Sequence, residues 1–298
     1  MSMGFTLLVT CGTSLLNNAG KDAKSRPQNI GEEVYNRLVE IDKKYDLSRL
    51  ARLDPKSIED NEIRDKHTFA GSELFQALLN YIKERGGRDA SAEVNTIELL
   101  MHEQRILASD VDDIFLYHSD TGTGTLCARV IEEYLRSKGL KVERVEVKGF
   151  SSAKTLGEFQ EGMMDLMSKV VKVVKKRKRS NHDSKVYILA TAGFKPESTA
   201  AVIAALLAGA DGIYYVYEST RELVMIPPIP LAISEWSKKS INSIFGADYK
   251  NDISMDILLA RGIPDDRITM LEERGLIERK GVLNNKIRLR DWVKELLD

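Results

Sequence analysis

Cysteine, histidine and proline are scarce in this chain of 298 residues, and its formal charges almost cancel. The two cysteines, Cys11 and Cys127, have neither disulfide nor metal spacing, which excludes a disulfide framework and fits a reducing cytosol. Each falls in or beside an apolar segment, where a free cysteine is expected to be a small buried hydrophobe. The four histidines, His67, His102, His118 and His182, are dispersed, so no residues are nominated as metal ligands and no cofactor is expected. With a formal net charge of −1 despite 30% charged residues, whole-chain electrostatics favour no particular partner. The longest alanine-rich apolar run, residues 200–210, is too short for a bilayer, and the apolar run 5–9 lacks the basic start of a secretory leader. The expectation is a soluble, cytoplasmic protein without a membrane partner.

What is present is an alternation. Strand patterns at 5–11, 113–118, 141–147 and 185–190 are interleaved with helical patterns near 31–44, 70–85, 94–107, 125–138, 155–179 and 196–208. Such alternation predicts an α/β, Rossmann-like, mostly parallel sheet with helices on both faces. A closing β-hairpin is expected from 212–218 and 223–228, rich in aromatic and β-branched residues. Three of the seven prolines lie at 227, 228 and 230, and they place a boundary between domains 1–230 and 231–298. Beyond it, helices near 233–245, 254–261 and 265–274 precede a short hairpin turning at Asn284-Asn285. That outline is a winged helix-turn-helix.

Three strand ends carry small, hydroxyl-rich turns: Gly12-Thr13-Ser14, Thr121-Gly122-Thr123-Gly124 and Thr191-Ala192-Gly193. Together they predict one ligand crevice along the carboxyl edge of the sheet. The second turn is neither a P-loop nor a dinucleotide fingerprint, and by itself it is as well read as a capped turn. Asp120 beside it reads as a turn-capping carboxylate. The third is followed by Phe194 and Lys195, then Pro196 at the start of a helix. A cation at a helix N-terminus opposes the dipole, so an anion nearby is expected: a bound phosphate, or Glu197 as the plainer partner. Ser91-Ala-Glu reads equally as a helix cap and as a wall of the pocket. His118, before the second turn, reads as a structural histidine.

Taken together, Gly-Thr-Ser-Leu-Leu at 12–16, Ser91-Ala-Glu, Ser119-Asp-Thr-x-x-Gly and Thr191-Ala-Gly-Phe-Lys-Pro-Glu resemble CRISPR-associated Rossmann-fold (CARF) proteins, and within them the standalone ring nucleases of type III CRISPR systems. The resemblance spans residues 5 to about 230, and a C-terminal winged helix also occurs in such proteins. It implies a homodimer binding cyclic tetra-adenylate across its two-fold axis and cutting it to linear di-adenylate, which switches the antiviral response off. The family's serine and lysine map to Ser14 and Lys195. In physical terms the ribose 2′-hydroxyl is the built-in nucleophile. Ser14 and first-loop amides would align it, Lys195 would stabilise charge on the phosphate, and no metal is required.

Two basic features have plainer readings. Lys172, Lys175, Lys176, Arg177, Lys178 and Arg179 suit a solvated helix C-terminus. Residues 231–298 hold 12 Lys+Arg and 12 Asp+Glu, and the presumed recognition helix carries Asp265, Asp266, Glu272 and Glu273. DNA binding by this module is therefore disfavoured, and dimerisation or a lid role is expected. The alternative is a non-enzymatic transcription regulator that senses the same ring through its winged helix.

Overall fold

A computed structural model describes residues 4–55, 57–149, 156–180, 183–193, 195–217, 220–246, 249 and 251–297. The chain opens with β1 (Phe5–Cys11), buried from Thr6 onward as a central strand should be. Seven helices follow: α1 (Ser14–Lys24), α2 (Glu32–Tyr45), α3 (Leu47–Leu50), α4 (Ile58–His67), α5 (Glu73–Arg85), α6 (Gly87–Ala90) and α7 (Ala92–Glu103). The alternation then runs β2 (Val111–Ser119), α8 (Gly122–Ser137), β3 (Val142–Val147), α9 (Leu156–Ser180), β4 (Lys185–Leu189), α10 (Lys195–Ala208), β5 (Gly212–Tyr217) and β6 (Glu222–Ile226).

These six strands form one sheet in the order β3-β2-β1-β4-β5-β6, parallel except for the antiparallel β5–β6 pair. The expected hairpin is that last pair. Because the chain passes from β1 to β2 on one side and later returns to β4 on the other, the order reverses between β1 and β4. In open α/β sheets ligands bind outside the carboxyl ends of strands at such a reversal.

Each face of the sheet carries its own apolar cluster. One gathers Leu15, Leu16 and Ala19 of α1 with Leu78 of α5, Ile97 of α7 and Ile131 of α8. The other gathers Leu166, Val170 and Val174 of α9 with Ala201, Ala204 and Ala205 of α10. The second cluster continues into the C-terminal elements: α11 (Glu235–Phe245), β7 (Ile253–Ser254), α12 (Met255–Ala260), α13 (Asp265–Glu273), β8 (Ile277–Lys280), β9 (Lys286–Leu289) and α14 (Asp291–Leu297). There β7, β9 and β8 make a separate antiparallel sheet. Ile244, Leu271, Leu289 and Val293 are buried in the same cluster as α9 and α10. Arg290 clamps this end to α9 through a two-pronged contact with Glu161 at 2.8 and 2.9 Å. Among the described residues no helix is long and apolar enough to cross a membrane.

Candidate active site at the strand reversal

The loops after β1 and β4 meet. A Cβ at Gly12 would lie 2.9 Å from the Gly193 nitrogen and 3.0 Å from its Cα, so only glycine allows this approach. Gly193 itself has φ +93°, a conformation that glycine adopts freely. The Thr10 hydroxyl donates to the Ala192 carbonyl at 2.5 Å, and the Thr191 hydroxyl accepts from the Val216 amide at 2.9 Å. Gly12, Thr191, Ala192 and Gly193 are thus fixed at one place, the ends of neighbouring strands. Phe194 lies outside the described residues.

Lys195 opens α10, is exposed, and forms no ion pair among the described residues. It lines a shallow cavity of about 450 Å³ with Met163, Met164, Met167, Thr199 and Ile203. Among the described residues Ser14 does not line that cavity.

Ser14 faces a partner that the motif reading overlooked. Its hydroxyl donates to Glu93 Oε2 at 2.5 Å and accepts from the Ala92 amide at 2.9 Å. The same carboxylate accepts from the Ser91 hydroxyl at 2.6 Å and from the Gly12 amide at 2.7 Å. Glu93 is only 1% exposed, and no cation pairs with it among the described residues. Hydrogen bonds to a charged acceptor, worth about 1.5–3 kcal/mol each, offset its loss of water. The signal was present in the Ser91-Ala-Glu string, where Ser91 drew the eye as a cap. Ser91 does cap α7, accepting from the Val94 amide at 3.3 Å. Thr13 turns aside and donates to the Ala51 carbonyl at 2.8 Å. Gly12, Thr13 and Ser14 are half-buried, so the loop keeps one side open to solvent.

The second turn is built differently. Thr121 caps α8 by accepting from the Gly124 amide at 3.1 Å. The amides of Gly122 and Thr123 donate to Asp60 of α4 at 2.6 and 3.0 Å, and the Thr123 hydroxyl adds a third bond at 3.1 Å. Asp60 is fully buried, so the anion at this helix N-terminus is already the protein's own. Thr121, Gly122, Thr123 and Gly124 are buried with it. Asp120 accepts from the Gly149 amide at 3.0 Å, which holds the turn closed. His118 is 2% exposed, and its Nδ1 lies 2.9 Å from the Ser119 carbonyl. Burial lowers its pKa and keeps the ring neutral. The Cys11 and Cys127 thiols are pushed up by burial, Glu93 adding to both shifts, and are inert.

A cavity of about 840 Å³ opens away from these loops, beside edge strand β3. Arg136, Lys141, Arg144, Lys172, Lys176 and Arg177 line it. Much of its charge is internally paired: Arg136 and Arg144 with Glu132 at 2.8 and 2.5 Å, Lys141 and Arg177 with Asp113. A surface neutralised in this way is a weaker anion site than its composition suggests.

The sheet and its strand reversal define a Rossmann-like α/β protein whose β1 and β4 loops meet at the reversal. Residues 88–229, just under half of the chain, match the family model described as CRISPR-associated protein (Cas_APE2256). The matched span runs from α6 through β6 and includes Glu93 and Lys195, and it supports a CRISPR-associated protein.

Proposed function

We propose that this chain is a ring nuclease of the CARF type, which binds cyclic tetra-adenylate across a homodimer and cleaves it to linear di-adenylate. The observation that supports the proposal is the contact of the Gly12 and Gly193 loops at the strand reversal, from which the helices that open with Ser14 and Lys195 begin. The 2′-oxygen of one adenylate attacks the neighbouring phosphorus, and the bond to the 5′-oxygen breaks. The product carries a 2′,3′-cyclic phosphate. Lys195, exposed at a helix start, offers charge to the phosphate as it becomes more anionic. Ser14, held on both sides by Glu93 and Ala92, is an alignment point that does not wander.

The test is incubation of purified protein with labelled cyclic tetra-adenylate in EDTA, resolving the products. Linear di-adenylate is the expected product. Lys195→Ala is expected to slow single-turnover cleavage by roughly 10²–10³-fold, the size found for loss of one preorganised charge stabiliser. Ser14→Ala is expected to cost about 10²-fold through misalignment. An intact ring after prolonged incubation overturns the proposal.

A second reading, a ring-sensing transcription regulator, is favoured by the C-terminal order of α11, α12, α13 and the β8–β9 hairpin, the element order expected of a winged helix. Its cations are largely occupied, however: Arg279 with Glu272 at 2.9 Å and Asp265 at 3.2 Å, Arg288 with Asp291 at 2.8 Å, Arg290 with Glu161. A gel shift with and without the ring separates the two readings.

A further inference from the structure

The cleavage proposed above needs a group to take the proton from the attacking 2′-hydroxyl, and the four-way junction at Glu93 supplies one. We infer that Ser14 and Glu93 form a proton relay: the 2′-hydroxyl gives its proton to Ser14 Oγ as Ser14 passes its own to Glu93 Oε2. This inference rests on the ring-nuclease reading and deepens it. Ser14 would be the residue touching the substrate, and Glu93 acts through it as a positioning and proton-accepting residue.

Four observations lead there. The Ser14 hydroxyl already points at Glu93 Oε2 at 2.5 Å, so its proton has a fixed acceptor. The Ala92 amide occupies one Ser14 lone pair from the protein side, leaving the other for a donor arriving through the half-open face of the loop. The carboxylate is 1% exposed and no cation pairs with it among the described residues, so no salt bridge competes for its oxygens. Finally, Gly12 and Ser91 pin both of its oxygens, so the acceptor stays in place while charge moves.

The step balances. A bond forms between the 2′-oxygen and phosphorus, and the bond from phosphorus to the 5′-oxygen breaks. The 2′ proton ends, through Ser14, on Glu93, and the leaving 5′-oxygen takes a proton from the Lys195 ammonium or from solvent water. Glu93 returns its proton to solvent through Ser14 once the product departs. Around Glu93 the Cys11 thiol from β1 and the Cys127 thiol from α8 are both held neutral by burial, and the Glu197 carboxylate of α10 also comes up to Gly193.

The experiment is single-turnover cleavage of cyclic tetra-adenylate in light and heavy water, paired with binding of the all-deoxy ring, which lacks the nucleophile. Glu93→Gln is expected to be about 10²-fold slower or more and to show a smaller solvent isotope effect than wild type, yet to bind the deoxy ring within about twofold. Combining it with Ser14→Ala should add no further loss, because the two act as one unit. Glu93→Gln at the wild-type rate, or a double variant whose losses multiply, overturns the relay while ring cleavage stands. A wild-type protein that leaves the ring intact overturns the ring-nuclease reading itself, and the relay with it.

Discussion

At the residue scale the site was half legible. Ser14, Lys195 and the glycines announced themselves because small residues and a lone cation at strand ends have few other uses. Glu93 did not, because a glutamate in a first helical turn is ordinary helix chemistry. Only the fold brings α7 under the β1 loop and makes that carboxylate the meeting point of Gly12, Ser14 and Ser91. His118 behaves as the sequence led one to expect, a structural ring near the crevice with its charge suppressed by burial. The pKa of His67 is lowered for the same reason. A histidine with a depressed folded pKa stabilises fully above its unfolded pKa of about 6.5 and loses that contribution as pH falls below it. Melting temperature is therefore expected to drop between pH 7 and 5. Replacing His118 by Asn should flatten that drop, as scanning calorimetry at several pH values will register. An unchanged slope would mean that His118 protonates without cost.

At the element scale, the strands and long helices of the alternating region fell where hydrophobic periodicity put them, β1 at residues 5–11 and α5 within 70–85 among them. Between residues 12 and 70 the helix read near 31–44 is α2, while α1, α3 and α4 were not read. α4 (Ile58–His67) buries only Asp60 and Ile63, too few residues for a readable stripe, and α3 has a single turn. Yet α4 carries the cap of α8. Asp60→Ala leaves the Gly122 and Thr123 amides buried without partners, about 1–3 kcal/mol for each group lost. A markedly lower denaturant midpoint at an unchanged slope is the expected outcome. A midpoint within error of wild type would show that water replaces the carboxylate. The turn at residues 121–124, read from the sequence equally as a ligand contact and as a capped turn, is capped by Thr121 and holds the protein's own Asp60.

At the scale of the whole molecule, composition marked a change of grammar near residue 230 but gave no account of how the two parts join. Sequence periodicity says which side chains seek burial, not which distant helix will cover them. Here α9 and α10 bury one flank on the sheet and share the other with Ile244, Leu271, Leu289 and Val293. One calorimetric transition is therefore expected for the full chain. A fragment ending at residue 230 should bind a hydrophobic dye and melt without cooperativity. Two resolved transitions would argue for separable folding units. The shared cluster also limits rearrangement over evolutionary time. A C-terminal segment seated this deeply cannot be exchanged like a detachable tail, and a lineage acquiring a different one would have to redraw the outward sides of two scaffold helices at once.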